Sequence, residues 1–207
     1  MAETSAAWAL RAEDGRLLEL DVARWLAPAD PVDQSLLDRA VGPVLDVGCG
    51  PGRHVRALRH RGVPALGVDI SSSAVSVARE RGARVLQRSV FDALPDPGRW
   101  RSALLLDGSV GIGGDPVVLL RRIGQLLHRR GRVLVEVEPP EVATESMVVR
   151  METGRRPSPW FAWARVSARD AAAVAHDAGF CVAEAWSDGG RFFCRLDRSG
   201  QPRLAAG

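Results

Sequence analysis

From Val44 onward, apolar residues fall into two alternating rhythms. Short apolar runs at 43–47, 65–69, 84–87, 103–107 and 132–137 are separated by longer segments with apolar positions at helical spacing. An unbroken run such as Ala103-Leu104-Leu105-Leu106 is what a strand covered on both faces requires. The regular strand–helix alternation dictates a parallel sheet. The first helix runs from Gly52 to about Arg61 and ends at Gly62; the second is capped by Ser71 and ends at Gly82. Asp115 and Pro116 suit the N-cap and N1 positions of a third, whose stripe is Leu119, Leu120, Ile123, Leu126 and Leu127. A fourth covers 168–178 and stops at Gly179, and the segments 180–186 and 192–196 around Asp188-Gly189-Gly190 read as an antiparallel pair. The predicted fold class is α/β: a seven-stranded, mostly parallel sheet with helices on both faces and a C-terminal antiparallel hairpin.

The flanks are less regular. Residues 1–42 read as a small N-terminal cap, in which 16–22 is a short strand or an irregular turn. Asp30 or Asp33 caps a helix through about Ala40, with Val32, Leu36, Leu37 and Ala40 on one face. Trp25 either packs this cap or walls a pocket. Pro139-Pro140 marks a boundary, and 139–165 is longer and less periodic than an ordinary connection, which is usual for functional segments. The expected organisation is one domain: cap 1–42, core 43–138, substrate-side insertion 139–165, and helix with hairpin 166–198. The tail from Ser199 is expected to fray.

Composition narrows the class. With 207 residues, 46% of them hydrophobic, the chain can bury one full core. No apolar stretch of about 18 residues predicts a membrane span. The first residues lack the basic and apolar regions of a secretory signal. Cys49, Cys181 and Cys194 form neither a disulfide framework nor a metal spacing, and they suit a reducing cytoplasm. All 28 basic residues other than histidine are arginine, with no lysine or tyrosine, a bias that GC-rich coding produces. The net charge of +3 is spread among interspersed acids, so no nucleic-acid partner is expected.

The chemistry concentrates where the first apolar run ends, at Asp46-Val-Gly48-Cys49-Gly50-Pro-Gly52-Arg-His54. Glycines permit positive φ and let a ligand lie on the backbone, and the following helix offers free N–H groups. Ligands of open parallel sheets sit at the carboxyl ends of the strands. Those ends carry Asp46, Asp69, Asp92 after the third strand, and Asp107-Gly108. Asp69, about twenty residues beyond the glycines, is placed to accept hydrogen bonds from ribose hydroxyls. A dinucleotide site would show the GxGxxG spacing instead.

This order, Leu-Asp-Val-Gly-Cys-Gly-Pro-Gly, then Gly-Val-Asp-Ile-Ser, Ser-Val-Phe-Asp and Gly-Arg-Val-Leu-Val-Glu, resembles the class I S-adenosylmethionine-dependent methyltransferases. The wording Asp-Gly-x-x-Gly-Ile-Gly-Gly-Asp-Pro at 107–116 is similar to that of a small bacterial, cytosolic branch. The resemblance implies a Rossmann-like fold with S-adenosylmethionine (SAM) as cofactor and S-adenosylhomocysteine as product. It implies Ile70 against the adenine, Val90 or Phe91 packing the ring, and Asp92 accepting the adenine amino group. Acceptors for the methionine ammonium are then the Gly48 carbonyl, Asp46 and the Asp107 carbonyl, with Cys49 kept small and His54 close to the cofactor.

Methyl transfer is an in-line displacement in which the protein mainly supplies proximity and orientation. The end of the fourth strand lacks the Asn/Asp-Pro-Pro-Tyr of amino-adenine methylation and the Pro-Cys of cytosine C5 chemistry. Asp107, Asp115, Glu136 and Glu138 make a poor metal set, so no metal is expected. A small-molecule O, N or C nucleophile remains, followed by a peptide or protein acceptor. A SAM-binding heteromer partner without its own catalysis is the alternative from another class. Candidate acceptor-pocket residues are Trp25, Ser109, Val110, Ile112, Trp160, Trp163 and Arg165, and candidate bases are Glu138 and His54. A monomer or homodimer is expected.

Overall fold

The structure, a computed structural model, describes residues 8–153 and 157–199. The chain in order is β1 (Ala9–Ala12), β2 (Leu17–Glu19), α1 (Val22–Leu26), α2 (Pro31–Leu37), β3 (Val44–Val47), α3 (Arg53–His60), β4 (Ala65–Asp69), α4 (Ser72–Glu80), β5 (Val85–Gln87) and β6 (Trp100–Leu105). A 3-10 turn (Ser109–Gly111) leads to α5 (Pro116–Leu126), β7 (Leu127–Val137), β8 (Glu145–Glu152), β9 (Phe161–Arg165), α6 (Ala171–Asp177), β10 (Phe180–Asp188) and β11 (Arg191–Arg198).

The main sheet has seven strands in the order β10-β11-β7-β6-β3-β4-β5. β3 pairs in parallel with β4 and β6, β4 with β5, and β6 with β7, while the hairpin β10–β11 joins β7 antiparallel. Alternate residues face opposite sides. Leu45, Val47, Ala103, Leu105, Val133 and Val135 pack with Leu119, Leu120 and Ile123 of α5 and Ala175 of α6. Val44, Leu104, Leu106, Leu134 and Phe193 pack with Leu36 and Leu37 of α2 and Leu58 of α3. Both parities are buried, which is why the β6 segment is continuously apolar. Asp30 caps α2 through a capping box with Asp33, and Asp115 caps α5 with Pro116 at N1. The sheet order reverses between β3 and β6, the switch point at whose strand ends open α/β sheets take their ligands.

A second sheet, β2-β1-β8-β9, is entirely antiparallel and was not expected from the sequence. Its strands come from the N-terminal cap and the 139–165 insertion, which pair across about 140 residues of chain: Ala9 opposes Glu152, and Ala12 opposes Val149. One face is apolar, with Leu10, Ala12 and Val149 buried and Met147, Met151, Phe161 and Trp163 partly buried against them. Arg11–Glu152 at 2.9 Å and Arg16–Glu145 at 2.8 Å tie the hairpin to β8; exposed pairs of this kind each contribute little. The tail beyond Ser199, expected to fray, lies outside the described residues.

The second sheet docks on the first through β9, whose backbone at Ala164 lies directly on Gly111. A Cβ at Gly111 would run into the Ala164 carbonyl oxygen, nitrogen and carbon, backbone atoms that cannot swing aside. Gly111→Ala is therefore expected to cost about 3 kcal/mol through overpacking, seen as a lower midpoint in urea denaturation. A midpoint within error of wild type would show that β9 does not rest on this turn.

Candidate functional site

The site grows from the turn after β3. Gly48 (φ 68°), Gly50 (φ 51°) and Gly52 (φ 79°) all lie in the left-handed region, where residues bearing a Cβ are strained. Cys49 packs its sulfur against Gly67, at 2.5 Å from where a Cβ there would sit, so residue 49 must be small and is structural. Asp69, at the end of β4, accepts the Gly50 N–H (2.8 Å) on one oxygen and the Ser71 N–H (2.8 Å) on the other. The carboxylate thus pins the loop while each oxygen keeps a lone pair for hydroxyls outside. Beside it Ile70 is 74% exposed, an apolar side chain left open next to a polar anchor.

Beyond β5, Val90 is buried in the core, so Phe91, 43% exposed, is the one that presents a face outward. Its ring lies 2.9 Å from the position of a Cβ at Gly113. Asp92 closes its own turn, accepting the Ser89 N–H at 3.2 Å with one oxygen.

Two buried polar atoms belong to this turn's surroundings. Asp46 Oδ2 and Ser109 Oγ are both buried and neither has a hydrogen-bond partner. Ser109 Cβ lies 3.1 Å, and Ile112 Cδ1 2.8 Å, from the position of a Cβ on Gly48. Burial pushes the Asp46 carboxyl up to about 6, although His54 and Arg53 oppose the rise. Buried groups of this kind are normally satisfied, and an ammonium lying on Gly48 would satisfy both. The loop therefore fits the amino group of a methionine-type ligand.

Next to it lies a cluster the sequence did not reveal. Asp33 of α2 is 1% exposed. It receives Arg53 (Nε 3.0 Å), Arg191 (2.8 Å) and, more loosely, Arg24 (3.4 Å). Arg53, at the start of α3, also reaches Asp107 at 3.0 Å. Arg191 grips Glu136 of β7 with two bonds of 2.7 Å. The Glu136 carboxylate in turn accepts the Asp107 N–H at 2.8 Å. These bonds brace Asp107, whose φ of 54° is unusual for a residue with a side chain. The Asp107 carboxylate is thus engaged with arginine, which leaves its carbonyl as the group for a ligand. Arg24 of α1 is the most loosely held member: its Nε is buried without a hydrogen bond and faces Asp30 only at 3.6 Å. The only hint in the sequence was the capping pattern that placed Asp33 in the first turn of α2.

His54, a candidate base, is 3% exposed, with Nδ1 3.8 Å from Asp46 and Nε2 3.5 Å from Asp33. Its Nε2 also lies 3.1 Å from Arg53 Nε. Glu138, the other candidate base, is ion-paired with Arg165 at 2.9 Å. Trp163 reaches within 3.5 Å of where a Cβ on Gly108 would lie, and stands edge-on to Phe161 with centroids 6.1 Å apart. Trp25 is half-buried on α1 beside Arg24. Trp160 is 44% exposed and stacks under Arg150 on the second sheet. The structure therefore gathers Ser109, Ile112 and Trp163 around Gly48 and Gly108. Among the described residues no three His, Cys, Asp or Glu side chains group as a metal site would, and no helix is long and apolar enough to cross a membrane.

The fold, with its glycine turn and acids at successive strand ends, is that of the class I SAM-dependent methyltransferases. Residues 44–131 match the family model described as a methyltransferase domain. A curated relative, trans-aconitate 2-methyltransferase from Paracidovorax citrulli, is 30% identical over 139 residues, which is 65% of this chain and 51% of that protein. The match thus spans about half of the relative's length. Among solved structures, a SAM-dependent methyltransferase from Bacteroides fragilis in complex with S-adenosylhomocysteine has a TM-score of 0.78 at 24% identity, covering 94% of this chain and 89% of that one. The 1,6-didemethyltoxoflavin-N1-methyltransferase of Burkholderia thailandensis has a TM-score of 0.62 at 19% identity, covering 86% and 81%.

Proposed function

We propose that the protein binds SAM and transfers its methyl group to an O, N or C nucleophile of a small molecule. The observation that carries this is the pair of buried atoms without hydrogen bonds, Asp46 Oδ2 two residues before a left-handed Gly48 and Ser109 Oγ packed on that glycine. A pyrophosphate-binding turn has no use for a buried carboxylate there; a cationic amino acid moiety does. Asp69 takes the ribose hydroxyls, Ile70 and Phe91 bracket the adenine, and the Asp107 carbonyl joins the ammonium acceptors. Arg24, whose ion pairs to Asp30 and Asp33 are long, takes the methionine carboxylate.

When bound, SAM supplies an electrophilic methyl on a sulfonium. The chain's own contribution is alignment: Trp163 and Ile112 close the space beside Gly108 and Gly48, and the second sheet shields it from water. His54 is buried and Glu138 is ion-paired, so neither serves as a free base, and transfer relies on proximity. Apolar walls from Trp163 and Ile112 suit a small-molecule acceptor. The small-molecule substrates in the names of the Paracidovorax and Burkholderia enzymes agree.

Calorimetric titration with SAM and S-adenosylhomocysteine, followed by methylation of a small-molecule pool with labelled SAM, tests this reading. Asp69→Ala should lower SAM affinity by at least about a hundredfold, the scale of two lost hydrogen bonds to a charged acceptor, with the fold retained. Near-wild-type affinity would remove the ribose assignment. SAM binding without label transfer to any acceptor would favour a non-catalytic SAM-binding subunit.

A further inference from the structure

Away from the strand ends, α3 turns a second basic face outward. Arg56, Arg59 and His60, at i, i+3 and i+4, share that face, and Arg81 and Gly82 close it from the end of α4. Together these five residues line a cavity of about 380 Å³ that contains no acidic side chain. Arginines elsewhere, such as Arg16, Arg39, Arg61 and Arg165, reach a carboxylate. Among the described residues, Arg56, Arg59 and Arg81 have no recorded ion pair.

Backbone carbonyls hold two of them in place. Arg59 donates to the Gly82 carbonyl and Arg81 to the Leu26 carbonyl, each at 2.6 Å. That uses one of the five N–H groups on each guanidinium. The Nε of Arg56 is buried and makes no hydrogen bond. Like charges held together in this way repel one another, and an anion between them recovers that energy. Donors converging from two helices and an imidazole suit the tetrahedral oxygens of a phosphate better than a planar carboxylate.

We propose that this cavity binds a phosphate dianion, either free or as the end of a phosphorylated small molecule. It lies at helix C-termini, where the backbone dipole opposes an anion, so the guanidinium groups carry the affinity. The site is separate from the SAM site, since Arg59 and Arg81 hydrogen-bond to Gly82 and Leu26, neither of them assigned to the cofactor.

The test is titration of the full chain with inorganic phosphate and with glycerol phosphate at low ionic strength, compared with an Arg59→Gln/Arg81→Gln variant. Both side chains are exposed, so the fold should tolerate the change. Saturable binding is expected that weakens about a hundredfold in the variant, one order for each charge-assisted bond, with SAM affinity unchanged. Tighter binding of the ester would identify a phosphorylated metabolite as the ligand, and equal binding would identify free phosphate. No saturable binding of either probe, or equal binding by the variant, would overturn the proposal. So would binding of a single-stranded oligonucleotide without any response to the two small probes.

Discussion

Replacing Asp33 by alanine should destabilise the protein by about 4 kcal/mol, the scale measured when one partner of a buried ion pair is removed. Asp33 is the common partner of Arg53, Arg191 and Arg24, and Arg53 is itself only 4% exposed. Without it, Arg53 keeps Asp107 and Arg191 keeps Glu136. Arg24 would be left with Asp30 at 3.6 Å and Asp107 at 3.9 Å, and three guanidinium groups would crowd a site with little water to screen them. Denaturation with urea at neutral pH measures the loss, and a change under about 1 kcal/mol would show that the arginines re-pair without cost.

The pH dependence gives a second readout of the same residue. Burial alone would raise the Asp33 carboxyl, but His54, Arg191 and Arg53 together hold it well below its ordinary 3.8. A depressed carboxylate contributes stability that is present above its unfolded value and is lost as pH falls through the folded one. The wild type should therefore lose stability steeply below about pH 4, and Asp33→Asn should show a shallower fall.

The main sheet was legible because its physics is local. Continuous apolar strands, helix caps at Ser71 and Asp115, and the glycine turn each announce themselves within a few residues. The second sheet was not, because β1 and β8 meet across most of the chain and only one face of each is apolar. Met147, Val149 and Met151 do alternate with polar residues, and Phe161 and Trp163 do likewise, but neither run says which strand is its partner. The cofactor side of the site was readable for the same reason as the sheet: Asp69 and the glycines act within one strand–turn–helix unit. Asp33, Arg191 and Glu136 were not, since they lie on three elements and become a site only when α2, β7 and the hairpin pack together. Glu138 and Arg165 were named separately, and only the fold shows that they pair with each other.

Asp46 should make SAM affinity strongly pH-dependent. With its carboxyl raised to about 6 by burial, the cofactor-free protein keeps this group largely protonated at pH 5. The sign follows from linkage. A folded value above the unfolded 3.8 means that the folded state holds the extra proton between the two. Stability thus falls as pH rises through that window, and above it ionised Asp46 costs the fold about 3 kcal/mol. An ammonium on Gly48 reverses the preference, because it pairs only with the ionised form. SAM affinity should then rise about tenfold per pH unit below 6 and level off before the cofactor's own α-amino group titrates near ~7.7–8.0. Binding at pH 5 should release close to one proton, visible in calorimetry as a heat that changes with the ionisation enthalpy of the buffer. Asp46→Asn should bind SAM more weakly at pH 7, lose the pH dependence, and stabilise the cofactor-free protein at pH 8 by removing the buried charge. A flat affinity profile in the wild type would mean that the ammonium rests elsewhere, on the Gly48 and Asp107 carbonyls alone. The strain seen at Asp107 would then be the feature that places the methionine.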